Sequence, residues 1–186
     1  MVAPALDPVL IERTADALII TLNQPARRNA FSAAMRDALC ASLQLAVLDD
    51  SIREVTLQGA GPAFCAGGDL DEFGDQRDAA IAHAGRLSRS AGRLLHQLAE
   101  RTTCTLHGAC IGAGIELPAF TGHIEARADA FFELPEVGMG LIPGAGGTVS
   151  IPRRIGRLRT ARMALGGERL PADIALEWGL IDAIAR

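Results

Sequence analysis

Two glutamates stand in apolar surroundings within one stretch, His107–Thr148 (HGACIGAGIELPAFTGHIEARADAFFELPEVGMGLIPGAGGT). Glu116 lies between Ile115 and Leu117, and Glu136 between Pro135 and Val137, twenty residues further on. Carboxylates are rarely buried without a partner or a task, because the charged form loses its hydration. Two in such settings point to acid/base chemistry, in which one carboxyl gives a proton and the other takes one.

Two glycine-rich turns flank this chemistry. Gly59–Leu70 (GAGPAFCAGGDL) and Gly108–Glu116 (GACIGAGIE) each follow a strand-like segment and lead toward a helix start. Such turns expose backbone N–H groups, which attract negative charge, either a phosphate or an oxyanion formed during reaction. A nucleotide site fits poorly: GAGPAF lacks the third glycine of the dinucleotide fingerprint. The chain also contains no lysine, its 18 basic residues being arginine, so a P-loop lysine and a lysine Schiff base are both excluded.

The elements that position these turns follow from periodicity. Residues 9–13 and 17–22 read as strands around a short turn at Thr14–Asp16. Pro25 breaks the loop that follows, and Ser32 caps a helix to about Leu48 with Met35, Leu39, Leu43 and Val47 on one face. A strand over 54–58 precedes the first glycine loop. A helix over 78–100, with Leu87, Leu94, Leu95 and Leu98 as its apolar positions, precedes a strand over 103–107. Short strands are expected at 123–125 and 130–132, helices from near Gly146, over 157–165 and over 172–178, and a last strand over 180–184. Strands alternating with helices argue for one α/β domain over residues 1–186 with right-handed crossovers.

Composition narrows the function classes. Hydrophobic residues make up 49% and charged residues 22%, ordinary for a soluble globular protein, and the net charge of −4 suggests no nucleic-acid partner. The N-terminus lacks the pattern of a signal peptide and no apolar run reaches membrane-spanning length, so the expectation is a cytoplasmic protein with no membrane partner. Cys40, Cys65, Cys104 and Cys110 form no CxxC pair and are expected as free thiols.

The motifs, taken together and in order, resemble one family. LNQPARRNAFS (22–32), GPAFCAGGDL (61–70), HGACIGAGIEL (107–117), FELPEVGMGLIPGAGGT (132–148) and LGGERLPADIALEWGLIDAI (165–184) are similar to the crotonase superfamily of enoyl-CoA hydratases and isomerases. The resemblance covers nearly the whole chain. It implies a crotonase-like (ClpP/crotonase) α/β fold, a spiral of ββα units. It further implies a lyase of fatty acid metabolism that hydrates a 2-enoyl-CoA to a 3-hydroxyacyl-CoA, with no cofactor and with coenzyme A as the substrate's carrier. Two backbone N–H groups of such enzymes hold the thioester oxygen as an enolate forms. The matching positions are Cys65 and Ala113, the latter a place where the family often has glycine. Glu116 and Glu136 fill both hydratase glutamate positions, whereas similar isomerases typically rely on the second alone. Ala66, Gly67, Gly68, Asp69, Leu70 and Gly112 would line the substrate, Asp69 also capping the turn after it. Arg27 and Arg28 match the CoA-contacting loop and are expected near its phosphates, the alternative being a solvated pair. Similar proteins usually continue into a further helical segment that covers the acyl pocket. A chain ending at Arg186 is therefore expected as a C-terminally short member that assembles as a homo-oligomer, a trimer or hexamer.

Other readings were weighed on the residues. Double-bond isomerisation, or another enolate reaction, uses the same machinery, and fold alone does not choose between them. A non-catalytic acyl-CoA-binding or assembly subunit has little physical reason to keep two costly carboxylates in apolar segments. Cys104, His107 and Cys110 make a C-x2-H-x2-C run, but with three ligands across a strand and an apolar turn no metal site is expected. Cys65 lies in a turn rich in N–H groups, which favours a thiolate nucleophile, yet a small buried residue is the simpler role. No GxSxG elbow occurs. His83, His96 and His123 show no partner in the sequence.

Overall fold

The computed structural model describes residues 7–72 and 89–185. The chain opens with an antiparallel hairpin, β1 (Val9–Arg13) and β2 (Ala17–Leu22), in register from Val9↔Leu22 to Arg13↔Leu18. Both strands fall where the alternation of apolar residues puts them. In β2 the alternate residues Leu18, Ile20 and Leu22 are buried, so this strand turns one face to the core.

Helix α1 (Ala33–Leu48) starts as its sequence requires. The Ser32 hydroxyl accepts the Met35 N–H at 3.2 Å, and the Glu72 carboxylate accepts the Ala33 N–H at 2.7 Å. Two of the orphan donors of the first turn are thereby satisfied. Met35, Leu39 and Leu43 are fully buried, whereas Val47 is only half-buried because Ala46 takes the inward position. Strand β3 (Glu54–Gly59) then runs parallel to β2, and helix α2 (Ala91–Gln97) leads to β4 (Thr102–Leu106). The helix expected over 78–100 is seen only from Ala91 onward and ends in a short 3-10 turn at Ala99–Arg101. Its part over 78–88, with Leu87 and His83, lies outside the described residues.

From β4 onward the chain alternates between two sheets. β4 passes at once into β5 (Ala109–Ile111) and the one-turn helix α3 (Ala113–Glu116). β6 (His123–Ala126) passes into β7 (Phe131–Glu133) and then α4 (Gly147–Gly166); β8 (Leu170–Pro171), α5 (Ala172–Trp178) and β9 (Ala183–Ile184) follow. The larger sheet runs β1-β2-β3-β4-β6-β9, parallel except at β1, and the smaller runs β5-β7-β8. The expected spiral of ββα units is thus present.

The sequence reading missed β5, whose three residues sit inside a glycine-rich motif, and β8, which has two. The two helices expected from Gly146 and over 157–165 are both present within Gly147–Gly166: Gly156, at φ 78° and ψ 164°, is non-helical and divides them, with Pro152 inside the first. Strand β9 is shorter than expected because the Leu180 and Ile181 amides are spent on the Ala175 carbonyl in α5, so pairing toward β6 starts with the Asp182 N–H on the Ile124 carbonyl. Among the described residues, no helix is long and apolar enough to cross a membrane.

The core is continuous from α1 through the large sheet to α3 and α5. Leu43→Ala, in the fully buried face of α1, is expected to destabilise the fold by about 2–5 kcal/mol in chemical denaturation, the range for emptying a tightly filled leucine site. A loss under about 1 kcal/mol would show that α1 is not anchored there.

Candidate active site

Helix α3 is one turn long, and its purpose is to carry Glu116 inward. Gly112 precedes it with φ 50° and ψ −118°, a backbone conformation suited to glycine. A Cβ built at Gly112 would fall on the Glu136 carboxylate oxygen Oε1, so the absence of a side chain there is what admits Glu136. Glu116 is 1% exposed. Its Oε2 accepts two backbone N–H groups, from Ala145 at 2.8 Å and Gly147 at 2.7 Å. A Cβ at Gly147 would stand 2.6 Å from Glu116 Cγ, so this approach also requires glycine. The Ser150 hydroxyl donates to the Glu116 carbonyl at 2.8 Å and fixes the main chain beneath.

Glu136 begins a 3-10 turn, Glu136–Met139, and is half-buried. Its Oε2 is buried and has no protein partner among the described residues. Glu116 and Glu136 are neighbours, and the charge of Glu136 acts on Glu116. Burial pushes Glu116 up to about 7. The Gly147 and Ala145 amides pull against that rise, and the nearby Glu136 charge adds to it. Burial also raises Glu136. Burial thus biases both carboxyls toward the neutral acid.

The donors beside this pair differ in part from expectation. The Cys65 N–H is not available: it donates to the Ala109 carbonyl at 3.1 Å, while the Cys65 carbonyl accepts the Ile111 N–H at 3.0 Å. Residue 65 is a rung paired with Cys110 on the edge of the small sheet, and a rung uses its own amide. The correction falls three residues on. Phe31 donates to the Gly67 carbonyl and accepts from the Asp69 N–H, the pattern of a parallel bridge to Gly68. The N–H of Gly68 therefore points away from Phe31, and it meets no acceptor among the described residues. Ala113 is the first residue of α3, and its N–H likewise has no acceptor there. A Cβ built at Gly112 would stand 3.8 Å from Gly67 Cα, so the two loops adjoin at Glu136.

The remaining expected residues divide. Asp69 is buried and caps the following 3-10 turn, accepting the Asp71 N–H at 3.1 Å. Arg27 donates from Nη2 to Asp69 at 2.8 Å and to Asp71 at 2.6 Å, while its side chain stays half exposed. Arg28 is exposed and has no carboxylate partner among the described residues. Ala66 and Gly67 lie in the same loop as Gly68, while Leu70 is largely exposed beyond it. Burial pushes the Cys65 thiol up to about 12, which removes it as a thiolate nucleophile. His107 Nε2 lies 2.9 Å from the Gly61 carbonyl, and His96 packs against Phe120 with ring centroids 6.3 Å apart. Among the described residues, no three histidine, cysteine or acidic side chains gather as a metal site.

Three groups escaped the sequence reading. The amides of Ala145 and Gly147 belong to a third glycine-rich turn, GAGGT, whose composition was visible but whose partner was not. Ser150 sits one turn further on. Asn29, inside the polar loop after Pro25, is fully buried; the only local signal is an asparagine beside a turn, where such residues adopt positive φ.

The chain is similar to known proteins along nearly its whole length. Residues 12–185 match the family described as Enoyl-CoA hydratase/isomerase. The chain is 32% identical over 179 residues to the 2,3-dehydroadipyl-CoA hydratase of Escherichia coli (strain K12), covering 96% of this chain and 69% of that protein. It is 37% identical over 169 residues to the 1,2-epoxyphenylacetyl-CoA isomerase of the same organism, covering 88% and 64%. The crystal structure of enoyl-CoA hydratase from Thermoplasma volcanium GSS1 superposes with a TM-score of 0.88 at 31% identity, covering 97% of this chain and 72% of that one. The chain thus spans about two thirds of the length of these relatives. With the motifs in family order, the spiral fold in place and the match extending over nearly all of the sequence, the chain belongs to the enoyl-CoA hydratase/isomerase family of the crotonase superfamily.

Proposed function

We propose that this protein adds water across the double bond of a 2-enoyl-CoA, with the thioester oxygen held between the N–H groups of Gly68 and Ala113. The observation that carries this reading is the pair of neighbouring carboxyls, Glu116 and Glu136, beside two unpaired backbone donors. Burial leaves Glu116 partly protonated near neutrality, and the two amides on its Oε2 stabilise the ionised form in which it acts as the base, keeping Oε1 for a water. Glu136 then carries a proton toward the α-carbon. As the water oxygen bonds to the β-carbon, Glu116 takes its proton and the double-bond electrons pass to the thioester oxygen. The two amides stabilise that oxyanion, and losing one such donor costs on the order of 3 kcal/mol. Glu136 gives its proton to the α-carbon, and the two neighbouring carboxyls restore their starting protonation between turnovers.

Arg28 is the arginine more available to the CoA phosphates, since Arg27 is engaged through Nη2 by Asp69 and Asp71. Val137, Met139, Leu141 and Ile142 follow Glu136 with much of their apolar surface exposed. They support contact with an acyl chain and assembly as a homo-oligomer, a trimer or hexamer. An isomerase would move a proton with one carboxyl, and the second, neighbouring carboxyl favours hydration.

Glu116→Gln and Glu136→Gln are each expected to slow crotonyl-CoA hydration by on the order of 10²–10⁴-fold with the fold intact. Full activity in either variant overturns the reading. A panel of 2-enoyl-, 3-enoyl- and 3-hydroxyacyl-CoAs, read by mass, separates the alternatives: a product heavier by one water marks hydration, an unchanged mass isomerisation.

Stability should carry the same signature. The folded value of Glu116, about 7, lies above its ordinary 4.5, so folding favours the neutral acid. That contribution is fully present below about pH 4.5 and is lost as pH rises through 7. Relative to Glu116→Gln, the wild type is expected to lose about 3 kcal/mol of unfolding free energy across this window. Parallel stability–pH curves for the two proteins would show that Glu116 is not held in its buried, neutral-favouring site.

A further inference from the structure

We propose that Asn29 is a positioning residue for the oxyanion donor at Gly68, holding the loop that carries this amide from its opposite side. The proposal rests on the reading above, in which the Gly68 and Ala113 N–H groups receive the thioester oxygen.

Asn29 is 0% exposed and adopts φ 55°, a left-handed conformation that asparagine tolerates better than most residues. Its Nδ2 donates to three carbonyls, of Ala60 at 2.9 Å, Ala63 at 2.9 Å and Phe64 at 3.0 Å. Its Oδ1 accepts the Gln24 N–H at 2.8 Å. The amide orientation follows from these partners, because the flipped form would set an oxygen against three carbonyls and an NH₂ against an N–H. One side chain thus ties the whole approach to the donor loop, residues 60–64, to the turn at Gln24.

The backbone on either side of Asn29 continues the tie. The Arg28 carbonyl accepts the Ala66 N–H at 3.0 Å, and Phe31 brackets Gly68 through Gly67 at 2.8 Å and Asp69 at 3.4 Å. Segment 28–31 is therefore the template along which residues 66–69 are laid, and Asn29 anchors that template to residues 60–64. From the other side, the Cys65–Cys110 rung ties the same loop to β5, two residues before Gly112 and three before Ala113. β5 supports one donor and segment 28–31 the other, and the Asn29 side chain joins that segment to residues 60–64. Gly59 shows how little room remains: a Cβ there would meet the Phe64 carbonyl at 2.7 Å and Asn29 Nδ2 at 3.1 Å.

Asn29→Gly keeps the left-handed backbone and removes every side-chain bond. Asn29→Asp keeps the shape but turns an acceptor toward three carbonyls. The direct readout is the absorption band of a bound chromophoric enoyl-CoA, such as a 4-aminocinnamoyl-CoA, which shifts to the red when hydrogen-bond donors polarise its thioester carbonyl. Band position does not depend on how much protein is folded. In the wild type a red shift is expected on binding. In both variants the shift should fall by at least half and kcat for crotonyl-CoA by about 10–100-fold, the scale for a misplacement of about 1 Å, with KM changing less than threefold. Asn29→Ser, able to return one donor, should recover part of both. Should Asn29→Gly not accumulate as folded protein, Asn29→Ser and Asn29→Asp carry the same comparison. Wild-type band position and kcat in the folded variants overturn the role of Asn29. Absence of any red shift in the wild type with ligand bound overturns instead the oxyanion reading on which it rests.

Discussion

Burying Glu116 is the constraint on which the rest of this structure depends. A carboxylate at 1% exposure is tolerated only if donors meet it or a proton neutralises it. Here both occur. The Ala145 and Gly147 amides reach one oxygen, and burial beside Glu136 biases the group toward its neutral form. Each solution dictates sequence elsewhere. The amides require a glycine turn at the start of α4, because a side chain at Gly147 would strike Glu116. The place beside it requires Glu136 to approach Gly112 at the start of α3, where a Cβ would occupy the Glu136 oxygen. The glycines of this chain are thus the counterpart of its glutamates.

The second constraint is that two donors from separate loops must converge on one point. A single loop carries its successive amides in alternating directions, so one extended segment rarely aims two at the same atom. The spiral fold solves this by laying the loop after β3 alongside β5. The rung at Cys65 and Cys110 joins the small sheet to the donor loop, and the bridge at Phe31 and Gly68 joins that loop to the segment before α1. Each bridge consumes the amides of some residues and leaves others free. Cys65 is consumed, and Gly68 is left.

That distinction marks the limit of what was legible beforehand. The strands at 9–13 and 17–22, the capped helix after Ser32 and the helix over 172–178 were readable because apolar period and turn chemistry agree there. The two glutamates were readable because a charge in an apolar segment is costly. The donor at Gly68 was not, since whether a backbone amide is free depends on which neighbour claims it, and that neighbour is Phe31 or Ala109 from distant parts of the chain. Arg27 shows a related limit: its partners Asp69 and Asp71 lie more than forty residues away and engage one guanidinium nitrogen, which the sequence did not disclose. Glycine-rich motifs therefore disclosed that an anion would be held, while the pairing of strands decided by which amides.

The same logic separates the machinery from its use. Everything fixed by the two bridges, the glycine turns and the neighbouring carboxyls concerns the thioester oxygen and the protons around the α- and β-carbons. Nothing in those contacts reads the far end of an acyl chain. Relatives of similar identity bear the names of a hydratase and an isomerase, which fits a scaffold whose shared element is stabilisation of one oxyanion. What distinguishes reactions on such a scaffold is whether a second carboxyl stands ready to activate water. In this chain Glu116 is buried and its charge is met by two amides, at an electrostatic cost that a buried leucine at that place would not carry.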